Sequence, residues 1–140
     1  MVSCAYTGHR MLKKALISIV DDDESVREAM QGLMKSLGFA AEAFASAEEF
    51  LASDSRNRAA CLITDVQMPG LTGLELHDRL VRSGRPVPTI MITAYPDERA
   101  RARALQAGIA CYLVKPFNES DLLACIRSIL DRGRDEQGGP

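Results

Sequence analysis

The amino-acid sequence predicts an α/β protein with a doubly wound, five-stranded parallel sheet and five helices. Five short apolar segments, several of them rich in β-branched residues, alternate along the chain with segments whose apolar residues recur at helical spacing. Four of the apolar segments end in or run into a polar side chain. This alternation is typical of parallel sheets, because right-handed crossovers place helices on both faces.

Length and composition are those of one globular domain. The chain has 140 residues, enough to bury a core, and its net charge of −2 gives no electrostatic reason to bind nucleic acid. No apolar run reaches the roughly 20 residues of a membrane span, and no signal peptide is recognisable. We expect a cytoplasmic protein whose domain itself contacts neither membrane nor nucleic acid. We assign residues 1–12 to a flexible N-terminal tail, 13–131 to the domain, and 132–140 to a C-terminal tail or the start of a linker.

The first two strands and helices are predicted from residue 15 to about residue 51. The buried run 15–20 is the first strand, and the helical pattern that follows ends at Gly38. Residues 39–44 form a weak second strand, which the alternation requires. Ser46 and Glu49 have the spacing of a capping box, so a short helix is expected to begin there.

The third strand is the apolar run that begins at Cys61 and ends at Asp65, followed by a Met-Pro-Gly turn. Thr72 and Glu75 form a second predicted capping box. The helix that they begin is expected to end at Gly84. Its predicted apolar side consists of Leu76, Leu80 and Val81.

The last two strands and helices follow the same alternation. Residues 88–93 are the fourth strand, and the helix after them should end at Gly108. Residues 109–114 are the fifth strand. Asn118 is the predicted N-cap of the last helix, which we expect to end at Gly133.

The cysteines give no sign of a metal site. Cys61, Cys111 and Cys125 lie within apolar strand or helix patterns, and no pair has the CxxC or metal-ligand spacing. We therefore expect them to act as small buried apolar residues.

Polar residues at the strand ends predict one shared site. The first strand runs into Asp21 and Asp22, the third ends in Asp65, the fourth in Thr93, and the fifth runs into Lys115. The carboxyl ends of parallel strands meet at one edge of the sheet, where α/β proteins bind ligands. We expect these five side chains to converge there.

The chemistry of the five side chains points to phosphoryl transfer. Three carboxylates in one cleft repel one another unless they are protonated or neutralised by a cation. Oxygen ligands select a hard ion, and Mg²⁺ suits a site with few carboxylates. A metal ion, an amine and a hydroxyl around one carboxylate would position a phosphoryl group and neutralise its charge.

Four motifs in order resemble the response-regulator receiver domain of two-component signal transduction systems. They are Ile19-Val-Asp-Asp22, Thr64-Asp65-Val-Gln-Met-Pro-Gly70, Met91-Ile-Thr93-Ala94 and Leu113-Val-Lys-Pro-Phe117. Each motif alone is weak, but the four together at these separations are specific. The third-strand and fifth-strand motifs look most like receivers of transcription-factor-type regulators. The resemblance implies the flavodoxin-like strand order 2-1-3-4-5.

The resemblance implies that Asp65 is the phosphoacceptor. It would take a phosphoryl group from the phosphohistidine of a sensor histidine kinase or a histidine phosphotransfer protein. Asp22, Asp65 and the backbone carbonyl of Gln67 would ligate Mg²⁺, and Asp21 would reach the ion through water. Such a domain is not a classical enzyme, although it assists its own phosphorylation and dephosphorylation. We expect Asp23 to be a helix-start residue outside the site.

The resemblance also implies how the phosphoryl group is read. Lys115 and Thr93 would each bind one phosphoryl oxygen, and Tyr112 matches the aromatic switch position. The Lys115–Pro116 bond is cis in this family. The surface of the fourth helix, fifth strand and fifth helix would then change, and a phosphorylation-dependent homodimer could form through it.

Two alternatives concern the reaction, and a third question concerns the output. A haloacid-dehalogenase-type phosphatase also uses an aspartyl nucleophile and Mg²⁺, but it needs a second Asp where this chain has Gln67. A receiver that takes no phosphate is disfavoured because all the expected site residues are present. The sequence leaves open whether this is a stand-alone receiver or the receiver part of a longer DNA-binding transcription regulator.

Overall fold

A computed structural model of the chain describes residues 14–138. Within that range five parallel strands form one sheet in the order β2-β1-β3-β4-β5, which confirms the order implied by the resemblance. The strands are β1 (Leu16–Val20), β2 (Ala40–Phe44), β3 (Cys61–Asp65), β4 (Thr89–Thr93) and β5 (Cys111–Val114). The helices are α1 (Glu24–Ser36), α2 (Ala47–Ala52), α3 (Ser55–Arg58), α4 (Gly73–Arg82), α5 (Glu98–Gln106) and α6 (Glu119–Gly138). The predicted tail 1–12 lies outside the described residues.

The core occupies both faces of the sheet. On one face, Ile17 and Ile63 pack in a cluster with Met34 of α1 and Ile126 of α6. On the other face a second cluster combines side chains of β1 and β3 with side chains of helices α2 and α4; its members include Val20, Phe50, Leu62, Leu76 and Leu80. Because the sheet is covered on both faces, the central strands consist of nearly continuous runs of apolar residues.

The number of helices and the end of the last one differ from the prediction. The sixth helix, α3, was missed because its four residues carry no apolar period; Ser55 is instead buried and its hydroxyl lies 2.6 Å from the hydroxyl of Ser18. Helix α6 does not end at Gly133 but continues to Gly138. A glycine inside a helix costs only about 1 kcal/mol relative to alanine, so it does not by itself end one.

The capping predictions are partly confirmed. At the start of α4, Thr72 and Glu75 bond each other's backbone amides, as a capping box requires. At the start of α2, Ser46 accepts a hydrogen bond from the Glu49 amide, but the Glu49 carboxylate accepts from Ala45 instead of Ser46. The predicted box at Ser46 and Glu49 is therefore only half formed.

On α4, Leu76 and Leu80 are buried as predicted, but Val81 is not. Val81 is 47% exposed, so its assignment to the apolar side is wrong. The buried residues are Gly73, Leu76, His77 and Leu80, which recur at the helical spacing of three and four. Burial lowers the pKa of His77 below its usual value. The histidine was overlooked because a polar residue can fill a core position.

Two of the cysteines do not serve as separate apolar residues. Cys111 of β5 and Cys125 of α6 are joined as a disulfide, with their Cα atoms 6.4 Å apart. Their pairing depends on which turn of α6 faces β5, which their separation in the sequence does not reveal. Cys61 is buried as predicted, and burial raises the pKa of its thiol to about 12.

Within residues 14–138, none of the helices has the length and apolar character needed to cross a membrane.

Candidate functional site

Three carboxylates meet at the C-terminal edge of the sheet. Asp21 and Asp22 follow β1, Asp65 ends the adjacent strand β3, and the two strands run parallel. Each acid offers an oxygen within 4.8 Å of those of the others. Asp21 is buried, Asp65 is half-buried and Asp22 is exposed, so the cluster opens to solvent on one side.

Lys115 brings a positive charge to the same cluster from beyond the end of β5. Its amine nitrogen lies 3.5 Å from Asp65 Oδ2 and 3.7 Å from Asp21 Oδ2. The lysine backbone amide donates a 2.8 Å hydrogen bond to the carbonyl of Thr93, which continues the pairing of β4 and β5. The structure therefore brings together the charged groups of four of the five predicted side chains, namely Asp21, Asp22, Asp65 and Lys115.

Asp21 lies in an unfavourable place for a charge. It lines a small cavity together with the apolar side chains of Met30, Ile63 and Phe117. Burial raises the pKa of Asp21, and the charges of the neighbouring acids raise it further, while a hydrogen bond from the Asp23 amide and the Lys115 charge oppose the shift. A bound cation would therefore relieve the repulsion between Asp21 and the neighbouring carboxylates.

Thr93 reaches the same edge but its hydroxyl is engaged locally. The Tyr95 amide donates a 3.0 Å hydrogen bond to Thr93 Oγ1, and the hydroxyl donates at 3.3 Å to the carbonyl of the same tyrosine. To donate to a ligand oxygen at Asp65, the hydroxyl would have to give up the bond that it donates to the Tyr95 carbonyl. The sequence could place Thr93 at the strand end but could not show this local pairing.

Gln67 lies two residues beyond Asp65, and Tyr112 lies in β5. The Gln67 amide donates a 3.1 Å hydrogen bond to Asp65 Oδ1, which fixes the start of the loop after β3. Tyr112 is half-buried and packs against a cluster that includes Ala104 of α5. Burial, followed by the charges of Asp97 and Glu98, raises the pKa of its hydroxyl.

Two further expectations are confirmed beside the cluster. Asp23 caps α1 by accepting hydrogen bonds from the amides of Ser25 and Val26, so it is a helix-start residue. The Lys115–Pro116 peptide bond is cis.

Gly73 and Arg27 also shape the site, and the sequence analysis did not select them. A Cβ atom at Gly73 would lie 2.5 Å from the Asp65 carbonyl oxygen, so only glycine allows α4 to start this close to β3. Arg27 donates a 2.7 Å hydrogen bond to the carbonyl of Asp21. A glycine in the first turn of a predicted helix is a sequence signal for such a close approach.

The donors of the cluster fit Mg²⁺. The three acids supply only oxygen atoms, which is what hard divalent ions prefer, and one open side leaves room for water or another oxygen ligand. The Lys115 amine neutralises only part of the charge of the three carboxylates. Net negative charge therefore remains for a cation to neutralise.

Mg²⁺ should therefore raise the melting temperature, because only the folded chain holds Asp21, Asp22 and Asp65 together. A concentration roughly ten times Kd should add about 1.4 kcal/mol to the free energy of unfolding. For a domain of this size that is roughly 4 °C, which calorimetry would detect. The control is the Asp22→Ala, Asp65→Ala double variant, which should show little shift. An equal shift in the control, or none in the native protein, would contradict the metal site.

Comparison with known proteins identifies the family. The family model for the response regulator receiver domain matches residues 17–127. The response regulator protein TodT of Pseudomonas putida is 38% identical over 122 residues, covering 87% of this chain and 54% of TodT. The transcriptional regulatory protein FixJ of Azorhizobium caulinodans is 34% identical over 120 residues, covering 86% of this chain and 57% of FixJ. The chain thus spans about half the length of these relatives.

Solved structures agree with the family model. The response regulator StyR has a TM-score of 0.81 and 37% identity, with 89% of this chain and 63% of StyR covered. The FixJ-N crystal structure has a TM-score of 0.76 and 32% identity, with 83% of this chain and 93% of that chain covered. These matches support a receiver and not a haloacid-dehalogenase-type phosphatase. The chain belongs to the response regulator receiver domain family of two-component systems.

Proposed function

We propose that Asp65 accepts a phosphoryl group from the phosphohistidine of a sensor histidine kinase or a histidine phosphotransfer protein. The observation that carries the proposal is the position of the Asp65 carboxylate. It lies between two other acids and the Lys115 amine, with 17% of its side chain exposed at an open edge of the sheet. We place this activity in the cytoplasm, where the sequence analysis expects the protein.

The reaction requires a nucleophile and a means of balancing charge. An Asp65 carboxylate oxygen attacks phosphorus in line with the bond to the donor histidine nitrogen, and that bond breaks with its electron pair left on the imidazole. Lys115 faces Asp65 Oδ2 and binds an oxygen of the transferring group. Asp22, Asp65 and the Gln67 carbonyl would hold Mg²⁺, with Asp21 acting through water. When bound, the ion supplies neutralisation of the phosphoryl oxygens.

The experiment that tests this function uses a small phosphoryl donor, because the kinase is unidentified. The purified chain is incubated with phosphoramidate and Mg²⁺, and its intact mass is measured. We expect a gain of one phosphoryl group, which is prevented by chelating Mg²⁺. No gain, or an equal gain without the ion, would contradict the proposal.

The phosphoryl group would be read through Thr93 and Tyr112. When the Thr93 hydroxyl donates to a phosphoryl oxygen, it gives up the bond that it donates to the Tyr95 carbonyl. Tyr112 turns inward as the threonine moves, and the loop before α5 follows. Phosphorylation thereby favours one of two existing arrangements of a surface made by α5, β5 and α6, which we call the switch face.

We propose that the switch face forms a phosphorylation-dependent homodimer. Arg99 and Arg103 are exposed on α5, and Asp121 and Asp131 are exposed on α6. None of the ion pairs found within residues 14–138 uses these four side chains. Exposed ion pairs contribute only about 0–1 kcal/mol each, so they would set the register of the dimer while repacking around Tyr112 drives association.

Sedimentation with beryllofluoride tests the dimer, because this anion complex mimics a phosphoryl group on Asp65. We expect the protein to associate only when Mg²⁺ and beryllofluoride are both present. The Asp65→Asn variant is the control and should stay monomeric. A native protein that remains a monomer at tens of micromolar under every condition would contradict the homodimer and favour docking on a different protein.

The relative FixJ is a transcriptional regulatory protein, which favours an output in transcription. We propose that this receiver controls a DNA-binding domain in a longer regulator. A stand-alone receiver is the alternative, and the length of the natural reading frame distinguishes the two.

A further inference from the structure

The loop between β3 and α4 (residues 66–72) carries the proposed carbonyl ligand, Gln67. Its two ends are fixed by hydrogen bonds beside Asp65. The Gln67 amide donates to Asp65 Oδ1 at 3.1 Å, and the Gly73 amide donates to the Val66 carbonyl at 2.9 Å. The path of the middle of the loop must depend on other contacts.

Glu48 of α2 makes such a contact with the middle of the loop. Its Oε2 atom accepts a 3.2 Å hydrogen bond from the Leu71 amide. The carboxylate also lies directly against Gly70, where a Cβ atom would come within 2.7 Å of the same oxygen. Gly70 has a φ of +80°, a conformation that glycine adopts without strain. The Glu48 carboxylate thus contacts the turn at two places, the Gly70 backbone, which carries no side chain, and the Leu71 amide.

We propose that Glu48 is a positioning residue for the metal site. By holding residues 70 and 71 against α2, it sets the path of the loop and so the position of the Gln67 carbonyl beside Asp65. This role rests on the proposed function, since it requires that Gln67 contribute a ligand oxygen. Groups that orient metal ligands from outside typically change metal affinity when they are removed.

The role requires a hydrogen-bond acceptor and not a negative charge. A glutamine at position 48 keeps an acceptor oxygen on a side chain of the same length but removes the charge. An alanine removes both. If Glu48 acted only through its charge, by attracting the cation, the two replacements would weaken Mg²⁺ binding equally.

The matched control is Glu49, the next residue in α2. Its carboxylate accepts a hydrogen bond from the Ala45 amide at the start of the same helix, whereas the Leu71 amide of the loop donates to Glu48. Like Glu48→Ala, the Glu49→Ala variant removes one exposed acid from α2 and one hydrogen bond to a backbone amide, but that amide belongs to Ala45 and not to Leu71. It should leave the position of Gln67 unchanged.

The experiment measures Mg²⁺ affinity of the full chain by titration calorimetry, together with melting temperature in chelator. Glu48→Ala should weaken Mg²⁺ binding by roughly tenfold, the lower end of what such outer groups contribute. Glu48→Gln should bind within about twofold of the native protein because it keeps the acceptor. Glu49→Ala should bind Mg²⁺ like the native protein, and both alanine variants should melt at similar temperatures.

Three results would overturn the inference. The first is a Glu48→Ala variant that binds Mg²⁺ as tightly as the native protein. The second and third are a Glu48→Gln or a Glu49→Ala variant whose Mg²⁺ affinity falls as much as that of Glu48→Ala. Failure of the proposed function looks different, because the native protein itself would then bind no Mg²⁺ and gain no phosphoryl group. Native binding with an unaffected Glu48→Ala variant rejects only the role of Glu48.

Discussion

Replacing Asp65 with asparagine should abolish phosphoryl acceptance and at the same time stabilise the metal-free protein. Asparagine keeps the shape of the side chain but lacks a carboxylate oxygen that can attack phosphorus. Phosphoramidate with Mg²⁺ should therefore leave the intact mass of this variant unchanged.

The gain in stability follows from the charges around the side chain. The Asp65 carboxylate faces two acids, Asp21 and Asp22, and one amine. Removing it leaves Lys115 with Asp21 and relieves repulsion, which should add roughly 1 kcal/mol and raise the melting temperature in chelator by about 3 °C. Function and stability would then change in opposite directions, as is common where a site concentrates like charges.

The control for this variant is Asp78→Asn. Asp78 forms an exposed pair with Arg82 one turn along α4, and such surface pairs contribute little to stability. The control should accept the phosphoryl group normally and melt close to the native temperature. Phosphorylation of Asp65→Asn at the native rate would contradict the assignment of the phosphoacceptor. A clearly lower melting temperature in chelator would contradict the account of the charges.

Replacing Lys115 with alanine should separate phosphorylation from metal binding. The amine lies 3.5 Å from Asp65 Oδ2, where it can bind an oxygen of the transferring group. Its loss should slow phosphoryl gain on the order of a hundredfold, the effect typical of removing one group that stabilises transition-state charge. Mg²⁺ affinity should stay the same or rise slightly, because a competing positive charge has left the acidic cluster.

The matched control is Lys14→Ala, which removes an exposed lysine from the opposite end of the sheet. Rates of phosphoryl gain are followed by intact mass, and Mg²⁺ affinity is measured by titration calorimetry. With Mg²⁺ and beryllofluoride the control should self-associate, whereas the Lys115→Ala variant should stay monomeric. An unfolded Lys115→Ala protein, or one that matches the control in both phosphorylation and association, would show that the lysine has a different role.

Four of the five strands could be predicted from the sequence because each is a local apolar run, and the weak second strand was inferred from the alternation of strands and helices. A buried run such as 15–20 ends at a polar residue, and the parallel arrangement then determines which strand ends meet. The convergence of Asp21, Asp65 and Lys115 follows from that arrangement. The strand order itself came from the family resemblance.

The features that the sequence analysis missed depend on contacts between distant segments. The burial of His77 in place of Val81 depends on which side of α4 faces the sheet. The Ser18–Ser55 contact and the Glu48–Leu71 hydrogen bond each join segments more than twenty residues apart. The sequence pattern of one segment does not show which distant segment its side chains will contact.

The disulfide between Cys111 and Cys125 encloses the part of the chain that carries Lys115. The two cysteines are 14 residues apart, and the lysine lies between them. With the bond closed, Lys115 is part of a covalent ring anchored in β5 at one end and α6 at the other. Transient separation of α6 from the sheet, which is the usual way a terminal helix opens, could not release that ring. The distance between the amine and the acids would then depend on a chemical bond as well as on packing.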